Sequence, residues 1–271
     1  MRALAWNYRG LGNAATVRQL KELIRKSNPK LLILSEARLS QDKFNCLMNK
    51  LHFPGICYVP PLGTAGGFSL CWRLGVDWTI QNADKNMITG IIASDPIDRP
   101  WMIVRTYGPL AYGEKEAFWK NVGDFIDQCN LPIILMGDLN GTLKDRECLN
   151  YVNSSSSTRY SFDLRRMVHR TGLIDLGYLG VTYTWFKKSV DPSGGSSLKR
   201  ARLDRALAST DWRIAWPNAI LSHLTAAFSD HNPILLDTLG GKQCTKPQFK
   251  YKMMWERDHL LLWVVKRAWL V

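Results

Sequence analysis

No apolar run in this sequence is long enough to cross a bilayer, for which a helix needs about 20 residues. There are six cysteines, Cys46, Cys57, Cys71, Cys129, Cys148 and Cys244, and none falls in C-x-x-C spacing, which argues against a zinc site. No signal peptide is expected, since Met1 leads directly into a strand-like segment. A disulfide framework therefore lacks its usual setting, and the expectation is an intracellular, reduced protein with no membrane partner. No internal repeat stands out, which argues against a repeat architecture. Acid is the scarcer sign: 23 Asp and Glu stand against 36 Lys and Arg, a net charge of +13 that favours an anionic partner such as nucleic acid. Charge alone says nothing about chemistry. At 271 residues the chain can form one large domain or two ordinary ones.

The most informative stretch is Leu131-Pro132-Ile133-Ile134-Leu135-Met136-Gly137-Asp138-Leu139-Asn140. Its apolar half predicts a strand buried on both faces. It delivers Asp138 and Asn140 two residues apart, so extended geometry would send both side chains the same way. A carboxylate and a carboxamide at the end of a buried strand suit holding a metal or an attacking water. A plain polar turn is the competing reading, since Gly, Asp and Asn all form turns.

Similar strand ends recur along the chain. Residues 2–6 predict a first strand, followed by the loop Asn7-Tyr8-Arg9-Gly10-Leu11-Gly12-Asn13. Val17, Leu20, Leu23 and Ile24 recur at helical spacing, and that helix should stop before Pro29. Leu31-Leu32-Ile33-Leu34 predicts a second buried strand ending on Ser35-Glu36. A helix over 41–51 follows, with Phe44, Leu47 and Met48 as its apolar stripe. Strand-like runs at 56–59, 67–72, 76–81, 87–93 and 101–105 then suggest an antiparallel meander, the last placing Tyr107 at its terminus. A helix is expected over about 114–128 and a basic one over 162–170, with a surface loop at 154–158 between them. A strand at 182–186 and a flexible loop at 191–197 follow. Lys199-Arg200-Ala201-Arg202 is a basic cluster, a type that usually marks a solvated face. It runs into Leu203-Asp204-Arg205-Ala206-Leu207, where an acid inside a strand needs a partner. Ser229-Asp230-His231, just before the strand Ile234-Leu235-Leu236, offers one.

Asn7, Glu36, Tyr107, Gly137-Asp138-Leu139-Asn140, Arg202-Leu203-Asp204 and Ser229-Asp230-His231, in this order and at strand ends, resemble the endonuclease/exonuclease/phosphatase superfamily. The phrases Trp6-Asn7-Tyr8-Arg9-Gly10-Leu11-Gly12-Asn13 and Thr182-Tyr183-Thr184-Trp185, and the tail around Gln248-Phe249-Lys250 and Trp255, resemble the endonuclease domain of plant long-interspersed-element retrotransposons. The resemblance implies an α/β four-layer sandwich, two mixed β-sheets face to face with helices outside. It implies a Mg²⁺-dependent endonuclease (Mn²⁺ the alternative) that nicks DNA to leave a 3′-hydroxyl and a 5′-phosphate. By that resemblance Glu36 is a metal ligand, with Asn7 and Asp230 beside the metal. Asp138 activates water, Asn140 and Tyr107 contact the phosphate, and His231 held by Asp204 completes the site. Arg9, Lys199, Arg200 and Arg202 are the expected nucleic-acid contacts.

Two departures are visible: Leu139 stands where these domains commonly have Phe, and Ala37-Arg38 replaces the usual Thr-Lys. Residues 1–240 are expected to form the catalytic domain. Residues 241–271, with seven Lys or Arg against two acids from Lys242 on, are expected to be a basic linker and the start of a helix toward a missing downstream region. The reverse transcriptase of such a polyprotein does not follow in this sequence, and a truncated element copy or a gene model covering only the first domain is the expectation. A monomer in the nucleus is the corresponding expectation. A phosphatase of the same superfamily and a catalytically silent nucleic-acid-binding relic are the alternatives.

Overall fold

The computed structural model describes residues 1–8, 10, 13–60, 67–150, 160–190 and 196–240. Arg9, the loop expected at 154–158, most of the loop expected at 191–197 and the tail from residue 241 lie outside the described residues.

In chain order the elements begin with β1 (Arg2–Asn7), α1 (Ala14–Ser27), β2 (Leu31–Ser35), α2 (Gln41–Lys50), β3 (Gly55–Val59) and β4 (Phe68–Trp72). Next come β5 (Trp78–Ala83), β6 (Met87–Ile92), β7 (Trp101–Tyr107), α3 (Tyr112–Gln128), β8 (Ile133–Asp138), β9 (Cys148–Leu149) and α4 (Phe162–Thr171). The remainder are β10 (Ile174–Asp175), β11 (Leu179–Gly180), β12 (Trp185–Val190), β13 (Ser196–Ala201), β14 (Asp204–Ala208), α5 (Thr210–Ala215), β15 (Ile220–His223) and β16 (Ile234–Asp237).

Two large mixed sheets result. One runs β11-β15-β16-β1-β2-β4-β3 and the other β10-β14-β8-β7-β6-β5, with β12-β13-β9 as a small third sheet. Alternation along the central strands decides how they stack. Ala3, Ala5, Leu31 and Ile33 from the first sheet meet Ile103, Ile134, Met136, Ala206 and Ala208 from the second in one apolar cluster. The intervening residues point outward. Leu4, Trp6, Leu32 and Leu34 pack under Leu20, Leu23 and Ile24 of α1 and Phe44 and Met48 of α2. Met102, Val104, Ile133 and Leu135 pack under Trp119 and Val122 of α3 and Leu164 and Met167 of α4. The order helix, sheet, sheet, helix is the expected four-layer sandwich. The all-aliphatic strands β2 and β8 are buried throughout because both of their faces are covered.

Local signals set the boundaries. Asn13 caps α1 by accepting from the Ala15 amide at 2.9 Å, and Asn28 closes it in a left-handed conformation just before Pro29. The expected meander is divided: β3 and β4 join the first sheet, whereas β5, β6 and β7 join the second. The turn after β4 carries the chain across the core. The strand expected at 182–186 starts later, at Trp185, and continues to Val190. Residues 196–201, expected as the end of a loop and a basic cluster, form its antiparallel partner β13.

Candidate active site

The alternation that fills the core also builds the site. Asn7, Tyr107, Asp138 and Asp204 continue the inward-facing series of β1, β7, β8 and β14, but stand at the strand ends, where the apolar core stops. Tyr107 is opposite Asp138 in the parallel pair β7–β8, and Asp204 is opposite Asp138 in the antiparallel pair β14–β8. Asn7 is level with Ser35, which directly precedes Glu36. Gly137 makes the approach possible. Its φ is 144°, and a Cβ there would lie 2.2 Å from the Thr106 carbonyl oxygen. Glu36 and Asn140 also occupy the left-handed region, at φ 60° and 44°, a conformation that Asn tolerates better than Glu.

These residues form one hydrogen-bonded group. Asn7 Nδ2 donates to Asp138 Oδ2 at 3.1 Å and to Glu36 Oε1 at 3.2 Å. Tyr107 donates its hydroxyl to the same Glu36 oxygen at 3.2 Å. The Asn140 amide donates to Asp138 Oδ1 at 3.0 Å, and Asn140 Nδ2 to the Gly108 carbonyl at 2.8 Å. His231 Nδ1 lies 2.9 Å from Asp204 Oδ2, and its Nε2 lies 3.6 Å from Asp138 Oδ2. Asp204 thus has the partner that its burial requires. Asp230 stands beside this group, accepting from Trp185 Nε1 at 2.9 Å.

Burial opposes charge on the His231 ring, but Asp204 and Asp138 overcome it and raise the imidazole to about 9. Burial pushes the Asp138 carboxyl up, against the opposing pull of the imidazolium. At about 9, the His231 imidazole is charged at neutral pH. Burial, reinforced by Asp138 and Glu36, also pushes the Tyr107 phenol up, so it stays a neutral donor.

Metal-binding capacity is present in two adjoining places. Asp138, Asp204 and His231 offer ligand atoms that all lie within 4.8 Å of one another. The buried Asn7 Oδ1 has no hydrogen-bond partner among the described residues, while Nδ2 of the same amide faces Glu36 and Asp138. A bare amide oxygen and the Glu36 carboxylate are hard-oxygen donors of the kind that suits Mg²⁺, whereas His231 has to release its proton before it can ligate.

The basic residues separate. Lys199 and Arg200 lie half-buried on β13, opposite Lys187 and Phe186 of β12, in a hairpin that starts at Trp185 beside Asp230. Arg202 corrects the expectation of a nucleic-acid contact. It is buried and gives both Nη atoms to Asp175, at 2.9 and 2.8 Å, with a third bond to Glu147. Arg205 joins the same network through Glu147 and Asp175, which makes it internal scaffolding.

Several residues of the site were not anticipated. Thr184 Oγ1 accepts from the Leu203 and Asp204 amides, both at 3.0 Å. Ser229 Oγ accepts from the His231 amide and donates to the Asn7 carbonyl. Lys115 is buried with Nζ 2.8 Å from the Asn140 carbonyl. Its signal in the sequence is a lysine on the stripe of Trp119, Val122 and Ile126.

A family model described as the Endonuclease/Exonuclease/phosphatase family matches residues 4–231, the interval that holds every site residue from Asn7 to His231. The chain belongs to this family. No curated protein matches it in sequence. Solved structures of similar fold include the AP endonuclease LMAP from Leishmania major, with TM-score 0.65, 16% identity, and coverage of 87% of this chain and 86% of that one. Another is the 3′ phosphatase NExo from Neisseria, bound to a product DNA hairpin, with TM-score 0.60, 19% identity, and coverage of 88% and 98%. A third is the endonuclease domain of TRAS1, a telomere-specific non-LTR retrotransposon, with TM-score 0.59, 12% identity, and coverage of 87% and 97%. At these identities the likeness is one of fold. Within the family, the buried carboxylates and histidine described above form the phosphodiesterase-type site, with a group able to hold a divalent metal.

Proposed function

We propose that this protein is a Mg²⁺-dependent endonuclease that nicks DNA and leaves a 3′-hydroxyl and a 5′-phosphate, in the manner of a plant long-interspersed-element retrotransposon. One observation carries the proposal. Asp138 is fixed through Oδ2 by Asn7 Nδ2 and through Oδ1 by the Asn140 amide, with a charged His231 whose Nε2 lies 3.6 Å from the same Oδ2. Such a carboxylate is oriented for water while a cation waits for the phosphate.

In the reaction, Asp138 orients the attacking water and draws its proton. His231, charged through Asp204, donates Nε2–H to a phosphoryl oxygen and stabilises the charge that develops there. Asn140 holds a further oxygen through the second N–H of Nδ2, whose first is held by the Gly108 carbonyl, and Tyr107 turns its single hydroxyl proton from Glu36 to the phosphate. Glu36, with Asn7 and Asp230 beside it, would hold Mg²⁺, which supplies charge stabilisation at the departing 3′-oxygen. The exposed Lys187 and Lys188, with Lys199 and Arg200 across the hairpin, supply the cationic approach for a DNA backbone. On this reading the protein acts in the nucleus as a monomer.

The test is nicking of supercoiled plasmid with Mg²⁺ and with EDTA, using parent and folded Asp138→Ala protein. Nicks only in the parent with Mg²⁺ support the proposal, and label incorporated at them by a polymerase establishes the 3′-hydroxyl. Equal nicking by Asp138→Ala sinks the site assignment. Extension only after 3′-phosphatase treatment sinks the polarity, and no nicking at all favours the silent relic.

A further inference from the structure

Arg105 lies between the two sheets. Trp101, Ile103 and Tyr107 share its side of β7 and pack in the inter-sheet core, so the guanidinium lies directly beneath the Tyr107 end of the site. It is 1% exposed. Nη2 donates to the hydroxyl of Ser35, the residue before Glu36, and Cζ lies 3.3 Å from the centroid of the Phe68 ring. Arg105 thereby ties β7 of one sheet to β2 and β4 of the other. Its Nε and Nη1 are buried with no hydrogen-bond partner among the described residues. A cation so poorly satisfied is costly unless a nearby field offsets the burial. The site offsets part of this: burial lowers the guanidinium to about 9, against the opposing pull of Asp138, two residues beyond its register partner Met136 on the neighbouring strand, and of Asp204.

We infer that Arg105 is a positioning residue that carries the internal countercharge of the site, a fixed guanidinium that holds its acids together before metal and DNA arrive. In part this rests on the proposed metal site. A residue serving only to pack the core would behave differently, and two measurements separate the roles.

The first is Mn²⁺ binding by electron paramagnetic resonance, without substrate. Removing a positive charge near the site should tighten Mn²⁺ binding in Arg105→Met by about tenfold, while Arg105→Lys stays near the parent. A packing role predicts weaker or unchanged binding, and either result overturns the inference. The second is a urea-unfolding double-mutant cycle in EDTA with Arg105→Met, Asp138→Asn and both. The loss in folding equilibrium constant caused by Arg105→Met should shrink about fivefold or more once Asp138 is neutral, and an additive cycle overturns the inference. If Arg105→Met does not fold alone, the double variant should fold, and its failure to do so speaks for packing. A parent that binds no Mn²⁺ defeats the metal assignment, and the metal-free cycle then decides the role of Arg105 by itself.

Discussion

His231 Nδ1 lies 2.9 Å from Asp204 Oδ2, and both residues are buried. The bond fixes which ring nitrogen carries the proton toward Asp204 and leaves Nε2 facing Asp138. Asp204→Asn keeps the shape but removes the charge that sustains the imidazolium. Single-turnover nicking by this variant should fall about a hundredfold or more, the scale of a lost acid–base partner. A rate within threefold of the parent would show that the pair is only structural.

Thr184 holds the segment that delivers Asp204, because one hydroxyl oxygen accepts two successive backbone amides. Thr184→Val is nearly isosteric and leaves two buried N–H groups without an acceptor. The expected loss is about 2–4 kcal/mol in urea unfolding, whereas Thr184→Ser should lose much less. A Val variant as stable as the parent would mean that other acceptors serve these amides.

Lys115 reaches from α3 to the carbonyl of Asn140, with Nζ 3.8 Å from the Tyr160 ring centroid. Burial lowers its ammonium to about 8. Lys115→Met should loosen the left-handed turn at Asn140 and lower kcat about tenfold, with KM for plasmid little changed. A purely KM effect would instead place Lys115 in DNA binding.

His223 gives a pH dependence remote from the reacting groups. Burial lowers its imidazole from 6.5 to about 4, although Nδ1 lies 2.6 Å from the Val181 carbonyl. Between pH 6.5 and about 4 the unfolded chain binds a proton that the folded chain refuses, so stability falls as pH falls through that window. The contribution is up to about 3 kcal/mol and disappears above pH 6.5. His223→Gln should flatten this part of the stability profile, which urea midpoints from pH 4 to pH 7 would reveal. An unchanged slope in the variant would assign the acid sensitivity to other groups.

Much of the site was legible because strand alternation is a strong local signal. The inward parity of Ala3, Ala5 and Asn7, or of Ile134, Met136 and Asp138, can be read directly from the chain. The placement of Asp204 beside His231 was legible for a different reason: an acid within an apolar strand demands a partner. What could not be read is which sheet a strand joins. The runs at 68–72 and 78–83 look alike in sequence, yet β4 and β5 lie in different sheets, because pairing depends on contacts distant in the chain. Arg202 was misjudged for the same kind of reason. Three basic residues in four look like a solvated face until Glu147 and Asp175, remote in sequence, are brought to one of them. Arg105 and Lys115 carried a quieter signal, a cation at an apolar position, whose meaning emerged only with the site assembled above them.

β1 is a central strand of its sheet, with β2 on one side and β16 on the other. During synthesis only Glu36 and Asp138 of the site's four carboxylates have been made by residue 138, and His231 and the strand that completes the flank of β1 come almost a hundred residues later. Until then β1 presents an open edge and Asp138 lacks its cationic neighbour. The site is thus complete only when β16 is in place and His231 has reached Asp204 and Asp138.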